Sequence, residues 1–233
     1  MIHWPPLSLL ALIVSAQGWG QGSPLPALSN GVIRYPGEDG RRQRINVGKP
    51  CSDLWVSPDG RVIAFIAIEK AEPPTPAERG PFIEESTAYI AWKSDYFKPV
   101  PLHLKPVSID GNQWRVFRQP SVSPDLHTVY FLIPDTMTTW RLMSRSLSGG
   151  PLKTVGDVMT YCVIWGGSRS GDLLTMIRQD PGPSHPASGV TYPCYLSGAP
   201  GDRTMIADGV SQSCWAFGDF ASRWSGKRGG ACR

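Results

Sequence analysis

The stretch "CSDLWVSPDGRVIAFIA", residues 51–67, places an explicit turn directly before an apolar run. Pro58 presets φ for the second position of a type I turn, and Gly60 tolerates the left-handed conformation that closes a bulged hairpin. The turn therefore predicts a hairpin between a strand near 53–56 and a strand at 62–67. Because the second strand is apolar on both sides, we expect it to be buried on both faces, with a layer of structure on either side of its sheet.

The same unit returns as "SVSPDLHTVYFLI" at residues 121–133. Ser-Pro-Asp again precedes an apolar run, which predicts a second hairpin of the same kind. Leu126 takes the position that Gly60 has in the first copy. A left-handed leucine costs roughly 1–2 kcal/mol, so we expect a relaxed turn at this place.

A weaker third copy, residues 162–177, aligns Ser168 with Ser57 and Ser123. The separation between the first two copies is lengthened by a Pro- and Glu-rich insertion at 69–86. Without this insertion the period is about 45–50 residues, which is the size of one four-stranded propeller blade.

The repeats predict an all-β chain: a β-propeller of four-stranded antiparallel blades, with about three full blades and partial blades at both ends. Two arrangements remain open. The chain is either an incomplete propeller or a small four-bladed ring that closes by strand sharing between its termini. The predicted units are a half-unit at 31–47, full units at about 49–105, 115–155 and 158–206, and a fragment at 209–220.

Two segments carry a family resemblance: "SPDGRVIAF" at 57–65 and "LSGGPLKT" at 147–154. Together they resemble the WD-like repeat of TolB-type β-propellers, over roughly residues 31–217. The resemblance implies a propeller fold and an exported protein of the Gram-negative cell envelope. We expect a non-enzymatic binding or scaffold module that presents a Pro-rich loop face to a protein or peptide. The same repeat builds the propeller of prolyl-oligopeptidase-type enzymes, so the alternative is the propeller portion of such a hydrolase without its catalytic domain.

The N-terminal sequence is typical of an export signal. The apolar run Leu7–Val14 is too short to span a bilayer as a helix, and the small residues Ser15 and Ala16 follow it. An uncleaved anchor and a buried strand are the alternatives. We expect a periplasmic or secreted protein with no stable membrane span after signal removal. The predicted organisation is a signal peptide at 1–16, a linker at 17–30, propeller repeats at 31–220 and an irregular basic tail at 221–233.

The charge of the chain gives a weak indication about partners. The net charge is +4, and only 18% of the residues are charged. With few lysines and no basic helix, we expect no nucleic-acid partner. The cluster "RRQR" at 41–44 is interpreted as the solvated face of an edge strand.

No motif in the sequence predicts catalysis, a metal site or a cofactor. The segment "GGSRSG" at 166–171 resembles a nucleophile motif only superficially, and its Gly and Ser residues are typical of a turn. The histidines lack metal-ligand spacing. A channel-centred enzyme, such as a lyase or lactonase, would need polar, metal-competent residues at the starts of the inner strands, where we expect Cys, Leu and Trp.

Five cysteines are present. Cys51 and Cys162 lie six residues before their aligned turn serines, which predicts equivalent positions at the start of the innermost strands. Two interpretations remain: small buried residues, or a disulfide in an oxidising compartment. The candidates for the disulfide are Cys51, Cys162, Cys194 and Cys214, and Cys232 lies in the tail.

The long connections are the predicted site of partner binding. The connections between second and third strands, at 69–86, 134–139 and 178–193, are expected to emerge on one face of the propeller. Loops longer than about 12–15 residues are usually functional or disordered, so an insertion without function is the alternative. The candidate partner-binding residues are Arg79, Phe82, Trp114, His185 and Tyr192, of which Trp114 is expected in a loop before a blade.

Overall fold

The structure is a computed structural model. It describes residues 25–72, 83–102, 104, 107–109, 112–134, 139–179, 190–197 and 204–207. In these ranges the chain is almost entirely β, and the one helical element is a short 3-10 turn. None of the described residues forms a helix with the length and hydrophobicity that a membrane crossing requires.

Blade A is the first sheet. Its two longer strands are joined by a tight turn, in which the Gly40 N–H donates to the Gly37 carbonyl oxygen at 3.1 Å. This hairpin lies within the predicted half-unit at 31–47. A third strand lies earlier, inside the stretch that was expected to be a linker at 17–30. The strands of blade A are, in spatial order, β1 (Ala27–Ser29), β2 (Val32–Pro36) and β3 (Arg42–Ile45).

Blade B contains the strand that follows the Ser-Pro-Asp-Gly turn. Residues 62–67 expose none of their surface to solvent, which confirms the predicted burial on both faces. Phe65 packs toward blade A, whereas Val62 packs toward Val122 of a later sheet. The elements of blade B are β4 (Cys51–Val56), β5 (Val62–Glu72), β6 (Ile83–Trp92), the 3-10 turn (Lys93–Asp95) and β7 (Val100–Pro101).

Blade C follows a two-stranded hairpin that consists of β8 (Val107–Ile109) and β9 (Asn112–Trp114). Its second strand is also buried on both sides: Phe131 packs with Ile66 of blade B, and Leu132 packs toward the sheet that follows. The strands of blade C are β10 (Arg118–Val122), β11 (Thr128–Pro134), β12 (Trp140–Ser146) and β13 (Lys153–Val158).

Blade D corrects the alignment of the third repeat. The Ser57 N–H donates to Val62 at 2.9 Å across the first turn, and the Ile164 N–H donates to Asp172 at 2.9 Å in the same way. Ile164 therefore stands in the place predicted for Ser168, because the turn of blade D is longer. The strands of blade D are β14 (Thr160–Val163), β15 (Leu173–Met176), β16 (Cys194–Ser197) and β17 (Thr204–Ala207).

The second copy of the turn is not relaxed, contrary to the prediction. Leu126 has a φ of 59°, close to the 70° of Gly60, so it adopts the left-handed conformation despite its side chain. The Leu126 N–H donates to the Ser123 carbonyl oxygen at 2.9 Å, and the leucine side chain packs against the apolar cluster around Val122. These contacts offset the cost of the backbone conformation.

The four blades pack in chain order as an open β-propeller. One apolar cluster lies between blades A and B, others between B and C, and another between C and D. Across the described residues the sheets do not close into a ring. This favours the predicted incomplete propeller over the predicted small four-bladed ring. Each sheet thus buries its apolar side chains against its neighbours, as propeller blades do.

Candidate functional site

The starts of the inner strands lie at one end of the blades. Cys51 pairs with Ala67 of β5, beyond which β5 continues paired only with β6, and Thr160 pairs with Met176 at the end of β15. The inner strands therefore begin beside the connections between the second and third strands. This end is called the loop face, and it is the arrangement that the repeat pattern predicted.

Two inner strands carry the same backbone irregularity at the loop face. Asp53 and Gln119 both have positive φ, at 49° and 46°, and each interrupts the pairing of its strand with the next. Each lies four residues before the turn serine of its blade. A left-handed conformation at residues of this kind costs roughly 1–2 kcal/mol. Such bulges and strained residues are concentrated at binding and active sites.

The bulges bring together five side chains that we call the mouth cluster: Asp53, Arg118, Gln119, Thr160 and Tyr161. Arg118 Nη1 lies 3.8 Å from Asp53 Oδ2, which joins blades B and C. The Thr160 hydroxyl donates to Gln119 Oε1 at 3.3 Å, which joins blades C and D. Three successive blades therefore contribute polar groups to one place.

Tyr161 holds the backbone of the mouth cluster in place at Gln119. Its hydroxyl donates to the Gln119 carbonyl oxygen and accepts a hydrogen bond from Ser121 Oγ at 3.0 Å. Burial raises the pKa of the Tyr161 phenol far above its ordinary value, so the phenol stays protonated. Its position beneath the bulge assigns it a structural role in holding the Gln119 backbone.

The side chains of the charged members are partly exposed to solvent, whereas Asp53 Oδ2 itself is buried. The exposed fractions of the Arg118 and Asp53 side chains are 26% and 28%. Beside Asp53, the buried Ser52 Oγ has no hydrogen-bond partner within the described parts of the chain. The arrangement offers a cation, an anion, an amide and hydroxyl groups, which suits a ligand with both donors and acceptors, such as a polypeptide backbone.

A cleft lies on the same face, beside an extension of blade B. The predicted loop at 69–86 is shorter than expected, because β5 continues to Glu72 and pairs there with Ile83. The Phe117 N–H donates to Ser86 Oγ at 2.9 Å, which ties this two-stranded ribbon to blade C. The cleft has a volume of about 300 Å³ and is lined by Glu69, Glu85, Ser86, Thr87, Leu104, Arg115 and Phe117.

The opposite end of the inner strands is filled by aromatic side chains. The ring centroids of Trp55 in blade B and Trp165 in blade D lie 5.6 Å apart. Trp165 Nε1 donates to the Val122 carbonyl oxygen of blade C at 2.9 Å. These two tryptophans therefore pack between blades, at the end of the inner strands opposite the mouth cluster.

The structure places two of the five predicted partner-binding residues. Tyr192 is half-buried and packs against the cluster around Leu174 of blade D. Trp114 lies in β9 and not in a loop, so the predicted position was wrong: a short hairpin precedes blade C. Arg79, Phe82 and His185 lie outside the described residues.

The cysteines follow the predictions only in part: Cys51 begins an inner strand and Cys162 is disulfide-bonded, as expected, whereas other details differ. Cys51 and Cys194 are buried free thiols, so neither takes part in the predicted disulfide. Cys162 is disulfide-bonded, and Cys214 lies outside the described residues. Cys51 is the first residue of β4, whereas Cys162 is the third residue of β14, because the third repeat was misaligned.

The free thiols are poorly suited to chemistry. Burial raises the pKa of Cys194 to about 11 and also raises the pKa of Cys51, so both stay protonated. Within the described ranges, no group of three or more His, Cys, Asp or Glu side chains is arranged to hold a metal ion.

Sequence reasoning did not find the mouth cluster. It expected Cys, Leu and Trp at the starts of the inner strands, but the bulges turn Asp53 and Gln119 to this position. One signal was present: a polar residue stands four places before each turn serine. The sequence does not show that a non-glycine residue has a left-handed backbone, so Asp53 and Gln119 could not be distinguished from ordinary strand residues.

Comparisons with known proteins find similar solved structures but no family. No protein-family model and no curated protein matches the sequence. Among solved structures, the tricorn protease is 10% identical, with a TM-score of 0.47, over 78% of this chain and 15% of the other. The β-propeller domain of the Trilobed protease from Pyrococcus furiosus is 11% identical, with a TM-score of 0.43, over 80% and 57%.

A third solved structure, TolB from Acinetobacter baumannii, is 12% identical, with a TM-score of 0.33, over 81% of this chain and 54% of the other. The chain thus spans about half or less of the length of several of the structures that it matches.

Proposed function

We propose that this protein is an exported, non-enzymatic binding module that takes up a protein or peptide segment on its loop face. The observation that carries the proposal is the mouth cluster, in which three blades contribute polar side chains at two strained bulges. The apolar run at 7–14 and the small residues after it support export.

The chemistry of the site suits an extended peptide. Arg118 can donate two parallel hydrogen bonds to a carboxylate or to backbone carbonyl groups, and Asp53 can accept from an amine or from backbone N–H groups. The adjacent cleft of about 300 Å³ contains Phe117 and Leu104 among polar residues, so it offers apolar contact for one side chain of the peptide. The mouth cluster would orient the peptide backbone, and the cleft would select one of its side chains.

A peptide-library selection tests this proposal. The full chain is presented with a library of random peptides, and the affinities of the selected peptides are measured for the wild type and for Arg118→Gln. We expect Arg118→Gln to weaken binding at least tenfold, because it removes a charged donor that the peptide would contact. Arg169→Gln, at an exposed turn of blade D, is the charge-matched control and should bind as the wild type does.

Two results would contradict the proposal. Equal losses in the Arg118 and Arg169 variants would mean that only net charge matters. Cleavage of the selected peptides, detected by mass spectrometry, would instead favour the hydrolase alternative.

A further inference from the structure

We propose that the outer surface of blade A binds the surface of an anionic phospholipid bilayer. The surface in question bears three arginines, Arg34, Arg42 and Arg44, and we call it the basic face. It is separate from the mouth cluster, and the inference does not depend on the proposed function.

The two faces of blade A differ completely in chemistry. One side of the sheet carries Ile33, Tyr35 and Ile45, which are buried against blade B. The alternating residues on the other side include the three arginines, all of them exposed. This face is therefore not an apolar surface on which another blade could pack. A further sheet packed against it would bury three charges.

The arginines are held close together by the strand register. Arg34 in β2 is directly opposite Arg44 in β3, and Arg42 lies two residues along the same strand, opposite Pro36. Directly opposed side chains in antiparallel strands have Cβ atoms about 4.5–5.5 Å apart. Like charges at that distance destabilise a sheet, so the arrangement has a cost that a bound anionic surface would remove.

No described acidic group neutralises these arginines. Among the residues that the structure describes, none of the three guanidinium groups takes part in an ion pair or a side-chain hydrogen bond. Residues 27–49 contain five basic and two acidic residues, which leaves +3 of the +4 net charge of the whole chain in this segment. The potential of the molecule is therefore concentrated around one sheet.

The shape of the face favours a bilayer over a nucleic acid. Arginine recognises phosphate groups through its planar fork, whether they belong to lipid or to nucleic acid. Single-stranded nucleic acids are normally also held by aromatic side chains that stack on the bases. On blade A, Tyr35 lies on the buried side and donates to Gln43 at 2.7 Å, so the basic face has no aromatic residue. A sheet surface with arginines alone fits the plane of lipid phosphates.

Vesicle sedimentation with the full chain tests this inference. The probes are vesicles of phosphatidylglycerol mixed with phosphatidylcholine, and neutral vesicles of phosphatidylcholine alone. We expect the wild type to prefer the anionic vesicles, and R34Q/R42Q/R44Q to lose on the order of 100-fold of that preference, since each basic residue near an anionic surface contributes about fivefold. The preference should weaken steeply as salt is raised.

The matched control is the triple variant K93Q/K98Q/K153Q, which removes the same charge from exposed positions on blades B and C. We expect it to keep most of the preference. A second variant, R34K/R42K/R44K, retains the charge and should also keep most of it, and circular dichroism checks that every variant is folded. Equal binding of the wild type to both kinds of vesicle would overturn the inference. So would a loss of preference in K93Q/K98Q/K153Q as large as the loss in R34Q/R42Q/R44Q. So would equally tight, equally arginine-dependent binding to a single-stranded oligonucleotide.

Discussion

At the scale of single residues, the turn serines are the most informative positions. Ser57 Oγ accepts a hydrogen bond from the Val62 N–H at 3.0 Å and donates to Asp59 Oδ1 at 2.7 Å. One hydroxyl therefore satisfies the first backbone donor of the buried strand and orders the carboxylate of the turn. The same pattern recurs at Ser123 in blade C, where Oγ accepts from the Thr128 N–H at 2.9 Å.

We predict that Ser57→Ala destabilises the protein by about 1–3 kcal/mol, because the buried Val62 N–H loses its side-chain acceptor. Urea unfolding followed by circular dichroism measures this change. Ser168→Ala is the matched control, since sequence alignment made Ser168 the equivalent residue but the structure places it in an exposed turn.

We expect Ser168→Ala to change the free energy of unfolding by less than about 0.5 kcal/mol. A large loss at Ser168, or none at Ser57, would mean that the register of the turns is wrong.

At the scale of elements, the β5–β6 ribbon extends blade B toward the loop face. The two strands stay paired as far as Glu72 and Ile83, beyond the end of the four-stranded sheet. The ribbon forms one wall of the cleft through Glu69 and Glu85, and Arg115 Nη1 contacts Glu85 Oε2 at 3.2 Å across it. The ribbon therefore contributes to the cleft through residues that the structure describes.

We predict that residues 73–82 can be replaced by Asn-Gly without loss of the fold. The Asn-Gly pair forms the tight turn that suits two directly paired strands, and the shorter connection lowers the entropy cost of closing the loop by about 1 kcal/mol. Thermal unfolding should give a melting temperature equal to or above that of the wild type. As a control, the same replacement of residues 69–86 removes the ribbon and should destabilise blade B. A lower melting temperature for the 73–82 replacement would contradict the assigned pairing.

Some features of the strands could be predicted from the sequence alone, and others could not. Burial of residues 62–67 on both faces could be predicted from the sequence. Successive side chains of a strand point to opposite faces, and here both sets are apolar, so both faces must be covered. The register of blade D did not follow, since a turn of Gly, Ser and Arg residues at 166–171 has no fixed length that a pattern can specify. The bulges at Asp53 and Gln119 arise from contacts between blades, which one sequence does not encode locally.

At the scale of the whole molecule, the blades give the two ends of the inner strands different chemistry. The loop face carries the mouth cluster, and the opposite end carries Trp55 and Trp165. Blade A adds a third distinct surface, because its outer side is basic, whereas blades B and C are covered by neighbours on both sides. The molecule thus separates a polar loop face, an aromatic packed end and a charged flank.

The contact between Trp55 and Trp165 tests the central claim most directly, since these residues belong to blades B and D, which are not consecutive. In the open propeller, stacking of the sheets brings the two rings to a centroid distance of 5.6 Å. The measurement is a nuclear Overhauser spectrum of protein with labelled tryptophan, with Trp55→Phe used to assign the signals. We predict cross-peaks between the ring protons of Trp55 and Trp165. Spectra in which each ring contacts only residues of its own sheet would contradict the propeller arrangement.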